Sequence, residues 1–182
     1  MLDEYPYRIY AEQNPSFKDE CAKEHGMLTG ETVCFTGHRN IPEDKLEFVR
    51  HELRREVTRA IADGYTHFIS GFARGTDLMA AAVVLELQQQ YPLITLEAAI
   101  PYRNRVKSLY KDKNAIPLLE GCVTVGVWGE AYAPNVFLVR NRKMVEASSR
   151  VIAVFDGRFK SGTAQTIRIA RAQGREVHII PI

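Results

Sequence analysis

Two aspartates, a set of glycines and hydroxyl residues, and the arginines between them are the residues of this 182-residue chain whose types and spacing suit chemistry. In Thr66-His-Phe-Ile-Ser-Gly-Phe-Ala-Arg-Gly-Thr-Asp77 a short apolar run meets Ser70 and Gly71. It then turns through Arg74, Gly75, Thr76 and Asp77 into the helical sequence Leu78 to Leu87. A loop between a strand end and a helix start aims the free N–H groups of the first helical turn, with their partial positive charge, at an anion such as phosphate. Glycine lets that backbone bend and approach a ligand closely. A second loop of this kind is Phe155-Asp-Gly-Arg-Phe-Lys-Ser-Gly-Thr163, and Phe35-Thr-Gly-His-Arg39 is a shorter relative. Three phosphate-type loops in one small domain point to a nucleotide site.

The expected ligand-binding set follows from these loops. After the first strand it holds Thr36, Gly37 and Arg39. Gly37 admits the ligand and Arg39 grips a phosphate through two parallel hydrogen bonds, the plain alternative being a surface charge. His38 is left open between orienting a ribose and simple packing. The central loop contributes Ser70, Gly71, Arg74, Gly75, Thr76 and Asp77. Arg74 suits phosphate, Thr76 a helix cap or a ligand oxygen, and Asp77 a cap, a ribose-hydroxyl acceptor or a general base. The third loop contributes Asp156, Gly157, Ser161, Gly162 and Thr163, with Arg158 and Lys160 supplying positive charge. Asp77 and Asp156 are the candidate catalytic carboxylates, and Glu130 is a more distant one.

These loops need strands and helices to hold them. Glu31 to Thr36 reads as the first strand. Leu46, Val49, Leu53, Val57 and Ile61 recur at helical spacing after Pro42, with Gly64 as a stop. The charges between them read as a solvated face. The helix from Thr76 is apolar nearly all round, so it must be covered on more than one side, by the sheet and either a neighbouring element or a second subunit. Further strands are expected at Leu93 to Ile100, Gly121 to Val127, Arg150 to Phe155 and Glu176 to Ile180. Further helices are expected at Ala133 to Ser148 and Thr163 to Gln173. The alternation predicts an α/β, Rossmann-like three-layer sandwich, a mainly parallel sheet with helices on both faces. Its ligand belongs beyond the carboxyl ends of the strands, where strand order reverses. Residues 1–30, with Tyr5, Tyr7 and Tyr10, read as an N-terminal extension of a nucleotide-binding domain at 31–182.

The totals narrow the rest. A formal charge of +2 and a pI near 8.4 give no independent support for a nucleic-acid partner, and the expectation is against one. No apolar run is long enough to span a bilayer and no leader pattern opens the chain, so a cytoplasmic protein is expected. Cys21, Cys34 and Cys122 lack metal spacing, and no metal site or required cofactor is expected. The Walker pattern, the dehydrogenase glycine fingerprint and the nucleophile elbow are all missing.

The motifs Cys34-Phe-Thr-Gly-His-Arg39 and Ser70-Gly-Phe-Ala-Arg-Gly-Thr-Asp77 resemble the SLOG superfamily, named for the DNA-processing protein A and Lonely Guy families. Supporting matches are Ile100-Pro-Tyr102, Arg140-Asn141 with Met144, and Asp156-Gly157 with Ser161-Gly-Thr163. The likeness covers about residues 31 to 182 and is strongest to a bacterial branch of small Rossmann-like proteins. It implies a nucleotide or nucleotide-derived ligand held by the loops after the first, second and fifth strands. Lonely Guy enzymes cleave the base from a nucleoside monophosphate with the Glu of a Gly-Gly-x-Gly-Thr-x-x-Glu motif. Aligned on Gly162-Thr163, that Glu position holds Thr166, which cannot act as a carboxylate.

The first expectation is therefore binding or sensing of a phosphorylated nucleotide derivative, with a homo-oligomer left open. The alternative is a hydrolase of an N-glycosidic bond using Asp77 or Asp156. Single-stranded DNA binding ranks third.

Overall fold

The structure is a computed structural model and describes residues 32–182. The expected extension, with its tyrosines and Cys21, lies outside the described residues. Six parallel strands form one sheet in the order β4-β3-β2-β1-β5-β6. They are β1 (Thr32–Gly37), β2 (His67–Ser70), β3 (Thr95–Ile100), β4 (Thr124–Val127), β5 (Arg150–Phe155) and β6 (Glu176–Pro181). The helices are α1 (Leu46–Ala62), entered through a short 3-10 turn at Glu43–Lys45, then α2 (Thr76–Gln88), α3 (Arg103–Leu109), α4 (Ile116–Glu120), α5 (Val136–Glu146) and α6 (Gly162–Ala172).

The central strands are continuous runs of β-branched and apolar residues because both of their faces are covered. Alternate side chains point to opposite faces, so each strand feeds two cores. Val33 and Phe35 of β1, Phe68 of β2, and Ile152 and Val154 of β5 join the larger core with α1 and α2. Cys34, Ile69 and Val151 face the other way, onto Met144 and Val145 of α5 and Ala170 of α6. The register sets Cys34 beside Ile69 on one side and beside Val151 on the other.

The all-round apolar helix is α2. It packs against β1, β2 and β3, against α1, and against α4, so its second cover comes from this chain itself. The charged face of α1 is less solvated than its sequence suggests. Glu52 and Glu56 are buried, and Arg50 and Arg54 both pair with Glu86 of α2.

Several boundaries differ from the sequence reading. β3 begins at Thr95, leaving Leu93 largely exposed, and β4 begins only at Thr124, where pairing with Glu97 starts. α5 begins at Val136, two residues beyond Pro134. The short helices α3 and α4 lie in a stretch without helical periodicity. α3 is anchored by the Arg103 N–H, which donates to the Gly129 carbonyl at 3.0 Å, and α4 starts with Pro117 in its first turn.

The chain builds outward from β1 to β4, crosses back through α5, and resumes at β5 on the other side of β1. Strand order therefore reverses at β1 and β5. The loops after β1, β2 and β5 all open at that end of the sheet.

Candidate functional site

The first two loops are locked to each other. The His38 carbonyl accepts from the Thr76 N–H at 3.2 Å and from the Thr76 hydroxyl at 3.1 Å. Gly75 has a φ of 83°, and a Cβ there would stand 2.4 Å from the Arg39 carbonyl oxygen. A Cβ on Gly37 would stand 2.3 Å from Thr76 Oγ1. These two glycines thus permit the close packing of loop on loop, and Thr76, fully buried, is engaged with His38. Ser70 is also fully buried: its hydroxyl donates to the Asp77 carbonyl at 2.8 Å and accepts from the Phe72 N–H at 3.3 Å. Phe72 holds a left-handed φ of 50°, a costly geometry for a bulky residue that this packing enforces.

Beneath these loops lies a buried ion pair. Arg140 of α5 places Nη1 3.5 Å from Asp77 Oδ2, the two residues being 4% and 7% exposed. Burial pushes the Asp77 carboxyl above its usual range, opposed by Arg140 and by the Ala73 N–H, which donates to Oδ2 at 3.2 Å. Burial likewise pulls the Arg140 guanidinium down, with Asp77 opposing. Gly71 makes the pair possible, since a Cβ there would lie 1.2 Å from Arg140 Nη1. The Nε of Arg140 has no partner among the described residues. In the sequence Arg140 and Asn141 support a resemblance and carry no site role of their own. The available signal was Arg140 one helical turn before Met144, whose sulfur Nη1 approaches at 3.5 Å.

The third loop is held through Asp156. Its Oδ1 lies 2.8 Å from His38 Nε2 and accepts from the Arg158 N–H at 3.0 Å, while Oδ2 pairs with Arg158 Nε. Desolvation works to raise the Asp156 carboxyl, but the bonds from Arg158 and the nearby His38 hold it below its usual range. His38 also stacks on Phe155 with centroids 5.9 Å apart. Ser161 caps α6, accepting from the Ala164 N–H at 3.0 Å. A Cβ added at Gly162, or at Gly157 with its φ of 84°, would meet no atom within 4 Å. Thr166 donates to the Gly162 carbonyl at 2.9 Å and accepts from Asn141 Nδ2 at 2.9 Å, so the position of the Lonely Guy carboxylate is a buried structural hydroxyl.

Between the loops is a cleft of about 290 Å³. Of the expected site residues, Thr36, Gly37, Arg39, Asp77, Ser161, Gly162 and Thr163 line it, joined by Phe137, Arg140 and Asn141. Gly71, Arg74 and again Arg39 line a smaller adjoining pocket. Ser70, Gly75, Thr76, Asp156 and Gly157 line neither. Among the described residues no group of three or more His, Cys, Asp or Glu is placed to hold a metal ion. No described helix is long and apolar enough to cross a membrane. Burial pushes the thiols of Cys34 and Cys122 up to about 12.

This architecture is shared with known proteins. DNA processing protein A from Streptococcus pneumoniae superposes with a TM-score of 0.61 at 21% identity, over 84% of this chain and 51% of that one. DNA processing protein A from Helicobacter pylori, whose structure is described for its single-stranded DNA binding mode, gives 0.57 at 21% identity over 83% and 65%. A UPF0398 protein of Bacillus pumilus is 26% identical over 120 residues, 63% of each chain. One of Bacillus thuringiensis is 25% identical over 133 residues, 71% of this chain and 72% of its own. The chain thus spans 63% of the Bacillus pumilus relative and about half of the Streptococcus pneumoniae protein. The family model described as DNA recombination-mediator protein A matches residues 3–182, so the sheet and the strand-end loops built above all fall inside the match, and the chain belongs to that family.

Proposed function

We propose that this protein binds a phosphorylated nucleotide in the cleft at β1, β5 and the start of α6, and that it binds without turnover. One observation carries the reading: the open amino terminus of α6 at Gly162 and the buried guanidinium of Arg140 line the same cleft. A helix amino terminus and a desolvated arginine both favour a phosphate oxygen. Thr36, Asn141 and Phe137 line the remainder and suit a sugar and a base.

The hydrolase alternative is weakened at Asp77 and Asp156, and Glu130, paired with Arg103, lines neither pocket. Asp77 is tied to Arg140 and the Ala73 N–H, and Asp156 to His38 and Arg158. A general base needs a free lone pair within hydrogen-bond reach of the reacting proton. Thr166 offers no carboxylate at all.

A second reading, single-stranded DNA, is favoured by a separate observation. Arg39 lies over the Phe137 ring at 5.0 Å, and Tyr102, Tyr132 and Phe137 form an aromatic triangle at the same end of the sheet. Aromatic faces beside cations are the usual platform for unpaired bases, and the Helicobacter pylori neighbour is described as binding single-stranded DNA.

One experiment separates the readings. Calorimetric titration with nucleoside monophosphates, beside fluorescence anisotropy with a labelled oligothymidylate at two salt concentrations, is expected to show saturable mononucleotide binding and an unchanged nucleotide afterwards. Tight oligonucleotide binding that weakens steeply with salt, with no mononucleotide binding, makes single-stranded DNA the ligand. Release of a free base, abolished in Asp77→Asn or Asp156→Asn, makes the protein an enzyme.

A further inference from the structure

The smaller pocket beside the cleft, about 140 Å³, has a chemistry of its own. Arg39, Arg74, Arg105 and Arg140 all line it, and no carboxylate does. Asp77 stands at ion-pair distance from Arg140 and acts on Arg39 from farther away. Among the described residues, Arg39, Arg74 and Arg105 have no carboxylate within ion-pair distance. Arg140 is 4% exposed, and its Nε has no partner among the described residues. The walls between the guanidinium groups are Phe72, Tyr102 and Phe137, which lower the local dielectric and strengthen every charge interaction there.

Four cations around one small cavity repel each other unless an anion joins them. Guanidinium groups are also matched in geometry to phosphate oxygens. Arg39 and Arg140 line both this pocket and the larger cleft, so an anion in one lies next to an anion in the other. The larger cleft adds Thr36 and Asn141 for a nucleoside; the smaller offers arginine and aromatic faces, with Gly71, Ala73 and Pro101 between them.

Resting on the nucleotide-binding reading above, we infer that the four-arginine pocket is the subsite for a second phosphoryl group. The ligand class is then a nucleoside carrying two linked phosphates. The first phosphate sits at the start of α6 and the second between Arg74 and Arg105. Arg39 and Arg140 bridge the two.

Arg105 lines only the smaller pocket, so it isolates the claim. The experiment is calorimetric titration of wild type and Arg105→Gln, at fixed ionic strength, with adenosine 5′-monophosphate, adenosine 5′-diphosphate and inorganic pyrophosphate. Thermal unfolding of both proteins checks the fold. Wild type is expected to bind the diphosphate at least about tenfold more tightly than the monophosphate, the worth of one added charge-assisted contact. Arg105→Gln is expected to bring that ratio close to one and to weaken pyrophosphate about tenfold. Equal affinities for the two nucleotides in wild type overturn the subsite and leave the nucleotide reading standing. Pyrophosphate binding that Arg105→Gln removes, with neither nucleotide bound, keeps the subsite and overturns the nucleotide reading. Binding of none of the three overturns both.

Discussion

Two glycines that look alike in the sequence do opposite things. Gly71 is the space into which Arg140 fits, whereas nothing comes within 4 Å of a Cβ on Gly162. In Gly71→Ala the new methyl displaces the Arg140 guanidinium and leaves Asp77 buried without its partner, a loss of about 3–5 kcal/mol. A lowered unfolding midpoint in urea, together with lost nucleotide binding, is the expected result. Gly162→Ala is expected to keep or raise stability, since alanine is favoured over glycine in a helix by about 0.8–1 kcal/mol. Its methyl fills the approach to the α6 amides, so titration is expected to show weakened binding by a well-folded protein. Unchanged affinity in Gly162→Ala sinks the placement of the phosphate at α6. The thiols give a further check. With burial holding Cys34 and Cys122 near 12, both are expected to resist alkylation of the native protein at pH 8 and to react after denaturation, as peptide mass spectrometry would show.

At the scale of elements, α6 is the helix whose start faces the cleft, and Ser161 is the residue that starts it. Its hydroxyl satisfies the Ala164 N–H, so Ser161→Ala is expected to cost about 1 kcal/mol, measured as a drop in the urea midpoint at constant slope. A slope that changes as well would mean that the cap holds more than its own helix. The hydrophobic surface of α2 shows how an element's pattern finds its partners. Its periodicity predicts cover on several sides, and the sheet, α1 and α4 supply it. α4 was not legible because a five-residue helix beginning Ile116-Pro117 is too short to display a helical period.

At the scale of the molecule, the end of the sheet opposite the cleft is clamped by charge. Arg150 pairs with Asp63 and Glu176, each at 2.8 Å, and His178 lies between Glu56 at 2.6 Å and Glu176 at 2.7 Å. The clamp joins the edge strand β6 to β5 and to α1. The hydrogen bond from His178, with Arg150 adding to it, holds the Glu176 carboxyl below its ordinary 4.5. The unfolded chain therefore takes up this proton more readily than the folded one. The contribution of Glu176 is present above pH 4.5 and is lost as pH falls through the lower folded value. Glu176→Gln is expected to be less stable than the parent at pH 7, by no more than about 1 kcal/mol because the side chain is half exposed. That deficit is expected to shrink as the pH falls below 4.5, and urea unfolding at pH 7 and pH 4 measures it. A deficit that is the same at both values would assign the loss to packing instead of charge.

The local chemistry of the chain determined its strands, its main helices and the position of three anion-type loops at strand ends. Those features depend on residues a few positions apart: the β-branched runs of β1 and β5, the spacing of Val49, Leu53 and Val57, and Gly162 between Ser161 and Thr163. Only the tertiary structure decided which of these residues line the cleft. Gly75, Ser70 and Thr76 carry the right chemistry for a phosphate, yet they are taken up by Arg39, Asp77 and His38 because β1 and β2 lie side by side and bring their loops into contact. Arg140 enters the site from a helix that crosses the far face of the sheet, and it can do so only because strand order reverses at β1 and returns the chain to β5. Partners drawn from distant parts of the chain are set by sheet order, which local propensity does not encode.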